Sequence, residues 1–375
     1  MIIVQDVGVY HEGGGASQYH FNMLKKIRFD GHRHYYHGAD FFELFLSVPY
    51  KKKLAGFHVP FPAENTWIER LEKLYEHVDR IFIFCSELHD RTADQLRFLD
   101  RPKVTIFVNG SIDNFFAAKV YPWMDWFIQT TYFYKELHPE FLATKLHSDH
   151  KIKKFDILLG AQREHRDFVY NYIHTNQLLD KNIMTYYHNI NTRLDNNSNF
   201  IMESDGVKII PNSKLTHTID QIEYYGHRLG VSQVVPLSVY NQTFYSLVAE
   251  TNFSNNFSFY TEKIVKPILA KRLFIVISGQ NYLAKLRTLG FKTFDGIIDE
   301  SYDKQSDNYT RWQMAMTQVE YLCSLEHDNI ILEQIKEIVN HNYNLMINHD
   351  WYEDFSSILN QELRPLLSDM NLRIV

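Results

Sequence analysis

The chain has 375 residues, 45% hydrophobic and 22% charged, which is ordinary for a folded globular protein and long enough for two domains. Its formal net charge of −6 argues against a purely electrostatic nucleic-acid binder. Two cysteines, Cys85 and Cys323, exclude a disulfide framework and suit a reducing compartment.

Taken in chain order, Met1–Val9 reads as a buried strand with no signal peptide, so a cytoplasmic protein is expected. The Gly-rich stretch His11–Ser17 reads as a tight loop. Gln18–Lys26 follows as a helix, with Tyr19, Met23 and Leu24 at helical spacing. His32, His34 and His37 cluster next, but no carboxylate or cysteine stands at a metal-ligand offset, so no metal is expected. Trp67–Val78 is amphipathic, with Ile68, Leu71, Leu74 and Val78 on one side. Strand Arg80–Cys85, helix Glu87–Leu99 and strand Val104–Val108 continue the alternation that favours a mostly parallel sheet.

The polar, basic stretch His147–Lys154 reads as a linker. A second α/β series then opens at Phe155–Leu159 and a helix through Asp167–Ile173. Later strands are expected at Val207–Ile210, Ser246–Ala249 and Leu273–Ile277, and closing helices at Asn329–Ile347 and Trp351–Leu367. The fold class is therefore α/β, with two Rossmann-like domains facing each other across a cleft. The first covers residues 1–150 and the second 151–345, and a C-terminal helix within 346–375 packs back on the first. No apolar run reaches the length that spans a bilayer, so no membrane partner is expected.

The most informative stretch runs from Tyr245 to Gly279. A buried strand ends in Glu250, a short polar loop delivers Thr261 as a helix N-cap, and Glu262 and Lys263 fill the first turn. Unpaired N–H groups and the positive end of the helix dipole, with a lysine beside them, suit a diphosphate. A carboxylate there can accept hydrogen bonds from ribose or sugar hydroxyls. The next apolar strand stops at Ser278-Gly279, where bare backbone at Gly279 can approach a ligand. The plain alternative is a capped helix packed on a sheet.

This stretch resembles the C-terminal motif of α-1,3-fucosyltransferases: a strand ending in Glu, an aromatic-Thr-Glu-Lys helix start, then an apolar strand and Gly. The resemblance covers only Tyr245–Gly279. Within it, Thr251 replaces the usual Asn, and Lys266-Pro267 interrupts the helix start. It implies a glycosyltransferase of the GT-B type whose Glu262 and Lys263 contact the ribose and phosphates of a nucleotide sugar, with Glu250 in support. The donor would be a UDP- or GDP-sugar and no further cofactor would be required. Tyr282–Gly290 and the segments after it are also similar in type to phage and viral glycosyltransferase-like proteins.

Two further stretches complete the expected site. Arg163, His165 and Arg166, just past the first strand of the second domain, could supply cationic donors to a leaving pyrophosphate; a solvated first helical turn is the alternative. In the first domain, Gly13, Gly14 and Gly15 could make room for a sugar or acceptor, and His11 or Glu12 could act as general base on an acceptor hydroxyl. The loop matches neither GxGxxG nor a P-loop. Lys51–Lys53 and Lys151, Lys153 and Lys154 are the only basic runs that could track a phosphate backbone. The acceptor is thus either a glycan or a hydroxymethylated base in phage DNA. A nucleotide-sugar epimerase of GT-B shape and a non-catalytic sugar-nucleotide-binding protein are the rival readings.

Overall fold

The computed structural model describes residues 7–12, 35–37, 39–58, 66–85, 97–112, 115–136, 140–146, 151–187, 207–210, 221–254 and 257–368. The Gly13–Gly15 loop, the Gln18–Lys26 helix, His32, His34 and most of Glu87–Leu99 lie outside them. The chain divides into two compact units, Met1–Asp125 with Asp350–Val375, and Trp126–His349. The contact boundary at Asp125 comes before the basic stretch that the sequence suggests as a linker. The helices Asp125–Glu136 and Phe141–Lys145 count with the second unit, apart from Asp125 itself.

In the first unit, β1 (Val7–Glu12), β2 (Tyr35–His37), β3 (Lys52–His58), β4 (Arg80–Cys85), β5 (Val104–Val108) and β7 (Lys119–Pro122) form one sheet, while β6 is the two-residue Gly110–Ser111. The strand order is β2-β1-β3-β4-β5-β7, and every pairing is parallel. Val104–Val108 is buried at every position, as a strand covered on both faces must be, and so reads as a continuous apolar run. The order reverses between β1 and β3, and such a reversal opens a crevice at the carboxyl ends of the two strands. His11 and Glu12 close β1 at that reversal, in register with Gly56 and Phe57 of β3.

The last helix, Trp351–Ser368, belongs to this first unit. Its Phe355 packs on Phe84, Phe107 and Trp123 at ring distances of 6.1, 5.1 and 5.6 Å, and Leu359 and Leu363 are buried beside it. About two helical turns beyond Phe355, Glu362 is buried and accepts from Lys119 Nζ at 2.8 Å and Tyr121 Oη at 2.6 Å. Burial pushes the Tyr121 phenol up to about 12, and the Glu362 carboxylate at its hydroxyl adds to this.

The second unit is built on β8 (Lys153–Ala161), β9 (Asn182–Tyr187), β13 (Thr243–Ala249) and β15 (Phe274–Ile277), with strand order β15-β13-β8-β9 and all pairings parallel. The two-residue β14 is Ser258–Phe259. Here the order reverses between β8 and β13. Val207–Ile210 does form a strand, β10, but not in this sheet. It pairs with β11 (Gln221–Tyr224), which pairs with β12 (His227–Gly230), in a separate antiparallel sheet. Tyr225-Gly226 makes the tight turn between β11 and β12, both at positive φ (48° and 82°), a conformation that suits glycine at the second place.

A buried ionic network ties the amino ends of β8 and β13 together. Arg272 sits just before β15 and donates to Asp156 Oδ2 at 2.6 Å, to the Ser246 and Thr243 hydroxyls at 2.9 and 2.7 Å, and to the carbonyls of Tyr240, Thr243 and Tyr245. Its guanidinium also lies 4.4 Å from the centre of the Tyr240 ring. Among the described residues, no helix is long and apolar enough to cross a membrane.

Most lysines of the two basic runs donate to protein acceptors, while Lys51 is exposed. Lys53 is buried and donates to the Leu46 carbonyl at 2.9 Å, and Lys52 pairs with Asp79. Lys151 donates to the Tyr240 and Thr243 carbonyls, Lys153 to that of Asp180, and Lys154 to Leu325 and Asp328. These contacts hold loops and strand ends in place.

Candidate functional site

Two sequence stretches far apart in the chain meet at the carboxyl ends of β8 and β13, where the strand order reverses. β13 runs directly into Glu250, whose N–H continues the sheet by donating to the Ile277 carbonyl at 3.0 Å. The Glu250 side chain is fully enclosed. One oxygen accepts from Thr261 Oγ1 at 2.7 Å and Thr251 N at 3.3 Å; the other accepts from Thr261 N at 3.2 Å and Tyr282 Oη at 3.0 Å. Burial raises its pKa, and the Lys263 ammonium and the Thr261 hydrogen bond work against that rise. With both oxygens taken by protein donors, Glu250 positions the loop and the helix start rather than meeting a ligand itself.

Thr261 is the N-cap of the helix Glu262–Leu269, as its place in the sequence implies. Its hydroxyl accepts from Lys263 N at 3.2 Å while donating to Glu250. Pro267 lies inside this helix without ending it, since the helix runs on to Leu269. Lys263 Nζ donates to Glu262 Oε1 at 2.9 Å and reaches the Thr261 and Thr251 hydroxyls at 3.3 and 3.5 Å. For Glu262, burial pushes the carboxyl up, but the ammonium groups of Lys263 and Lys266 outweigh it and hold the pKa below its ordinary value.

From the β8 side, Arg163 is the extended residue before the helix Glu164–Thr175, and its Nη1 donates to the Thr251 carbonyl at 3.2 Å. Arg166, one turn in, is 4% exposed and lies against the backbone at Gly160, where a Cβ would meet its Nη1 at 3.4 Å. Burial, and then the neighbouring Arg163, lower its pKa to about 10, with Glu262 and Glu250 pulling the other way. It therefore stays cationic at neutral pH. His165 departs from expectation. It is fully buried, its ring stacks on Phe253 at 4.3 Å, and Nε2 lies 2.8 Å from the Glu250 carbonyl. A carbonyl only accepts, so Nε2 carries the proton. Burial, then the charge of Arg166, drives its pKa well down, so the ring is neutral and is no cationic donor.

The arrangement thus sets four cationic side chains, Arg163, Arg166, Lys263 and Lys266, against the two carboxylates of Glu250 and Glu262. Lys266 enters the expectations only as a helix interruption, and its part here was missed. Burial lowers its pKa to about 8, partly offset by Glu262. The unfolded chain holds that proton up to about pH 10.4, so the charged form costs stability below about pH 8, and this cost disappears as the pH rises between the two values. Thermal melts should therefore show the protein gaining stability as the pH rises from about 8 to about 10, a gain that Lys266→Gln should lack.

Tyr282 and Arg311 are the other residues that sequence reasoning passed over. Arg311 donates to the carbonyls of Ser278, Phe253 and Gln305 at 2.9, 2.9 and 2.6 Å, fixing the loop after Glu250 against the end of β15. The Ser278 hydroxyl bonds the Asn252 carbonyl at 3.0 Å, and Gly279 is buried directly after it. The remaining candidates belong to the first unit: His11 and Glu12 end β1, and Gly13–Gly15 lie outside the described residues. Among the described residues, no group of three metal-ligating side chains converges. Comparison with family models, with curated proteins and with solved structures finds no match to this chain.

Proposed function

We propose that the protein is a glycosyltransferase of the GT-B kind that moves a sugar from a nucleoside diphosphate sugar to a hydroxyl acceptor. One observation carries the reading: Arg163, Arg166, Lys263 and Lys266 gather with Glu262 where the strand order reverses, beside a capped helix N-terminus. In this reading the four cations neutralise the diphosphate as it leaves, so that charge developing in the transition state meets donors already in place. Glu262, held as a carboxylate, accepts from ribose or sugar hydroxyls.

A thermal-shift series with UDP, GDP, CMP and their sugar conjugates tests the reading. A nucleotide at about a hundred times its dissociation constant adds roughly 2.7 kcal/mol to the folded state. One nucleoside diphosphate should raise the melting temperature clearly; a flat response to the whole series would sink the proposal.

A further inference from the structure

The helix that carries Arg166 on its buried side presents a second feature outward. A groove of about 580 Å³ is lined by Glu164, Asp167, Phe168, Asn171, Tyr172, Thr175 and Asn176 of this helix and its end, and by Tyr309 from the helix Asn308–Ser324. That size is within the usual range for small-molecule sites. We propose that this groove holds an uncharged saccharide chain, separately from the diphosphate cluster.

The chemistry of the lining selects that occupant. None of the eight residues is cationic and two are carboxylates, which disfavours phosphates and nucleic acids. Asn171 and Asn176 offer both donors and acceptors, and the carboxylates offer acceptors, which together match neighbouring hydroxyls. Three rings, Phe168, Tyr172 and Tyr309, provide electron-rich faces on which the C–H side of a pyranose can lie.

The platform is also held in place before any ligand arrives. Tyr309 is 55% exposed, yet its hydroxyl donates to Glu164 Oε1 at 2.7 Å and its ring contacts Trp312 and Phe168 at 5.2 and 6.2 Å. Asp167 is fixed from behind by the Tyr186 hydroxyl and by Gln162. An exposed ring and a carboxylate already immobilised lose little further freedom on binding. This inference rests on the glycosyltransferase reading only for its sense, as a place where a glycan substrate is kept close to the enzyme; the groove argument stands without it.

The test is calorimetric titration of the full chain with cellohexaose, maltohexaose and chitohexaose, with spermine and a DNA duplex as competitors of other chemistry. One neutral oligosaccharide should bind, and Tyr309→Ala should weaken it by about three- to tenfold, the scale of losing one well-placed ring. Tyr309→Phe, which keeps the ring, should fall between. Asn171→Ala, at an exposed position, serves as a second variant should Tyr309→Ala fold poorly. Nucleoside diphosphate binding should be the same in all of them. Unchanged oligosaccharide affinity in Tyr309→Ala and Asn171→Ala, no binding of any of the three, or binding of spermine or duplex in their place would overturn the proposal. Loss of diphosphate binding in the wild-type protein with saccharide binding intact would instead count against the donor site alone.

Discussion

Arg272→Met should lower the stability of the second unit by about 3–5 kcal/mol, the usual cost of removing one partner from a buried ion pair. The reason lies in what remains. Asp156 is 3% exposed, its carboxylate accepts from Arg272, Thr243 and Ser246, and only the guanidinium brings an opposing charge among these. Burial alone raises the Asp156 pKa, and Arg272 is the largest influence holding it down. Without it the carboxyl pKa, already raised by burial, rises further, so more stability is lost as the pH rises through the raised value. The deficit should therefore shrink between pH 7 and pH 5. Thermal melts should show a drop of roughly 6–20 °C at neutral pH, with much of it recovered when Asp156→Leu is added to Arg272→Met. A melt unchanged at pH 7 would show that the network contributes little.

Lys263→Ala should weaken nucleoside diphosphate binding by about 1.5–3 kcal/mol, or roughly 10–100-fold, the scale of a charge-assisted hydrogen bond. The fold should lose some stability, because the Lys263 ammonium is the largest influence opposing the burial of the Glu250 and Glu262 carboxylates, but should still form. Lys263 is partly exposed, its ion pair with Glu262 is an adjacent-residue contact, and the helix cap uses the Lys263 backbone rather than its side chain. A circular dichroism melt separates the two effects. Reduced affinity in a variant still folded at the titration temperature supports a ligand role; unchanged affinity in the folded variant removes Lys263 from the site.

How much of this was legible in the sequence depends on the separation of the partners. The strands β4, β5 and β13 announced themselves as apolar runs, and Glu250, Thr261, Glu262 and Lys263 could be read as one motif because they are close in the chain. Asp156 and Arg272 are 116 residues apart, and nothing local to either marks the pair. Tyr282 is likewise tied to Glu250 only by the fold. The helix Asn308–Ser324 was passed over although Trp312, Ala315, Met316, Val319 and Leu322 are buried along one side. Arg311 is buried among them, and Gln313, Thr317, Gln318 and Glu320 interrupt the run, so the apolar stripe is faint to the eye. The helix Asp125–Glu136 was obscured in a similar way by its aromatic residues, Trp126, Phe127, Tyr132, Phe133 and Tyr134, which lie on more than one side. The antiparallel sheet of β10, β11 and β12 was missed because a lone apolar segment such as Val207–Ile210 does not reveal which strand it will pair with. His165 shows the limit for chemistry: between two arginines it reads as a cation, and only its burial against Phe253 makes it neutral.

The most direct test of the donor site is hydrogen exchange on the full chain, with and without a saturating nucleoside diphosphate. Amides slow where a ligand ties down the local structure that opens to exchange. The account predicts protection confined to two stretches of sequence, 160–167 and 250–266, because those segments meet at the carboxyl ends of β8 and β13. Protection elsewhere in the second unit, or none at all, would contradict it.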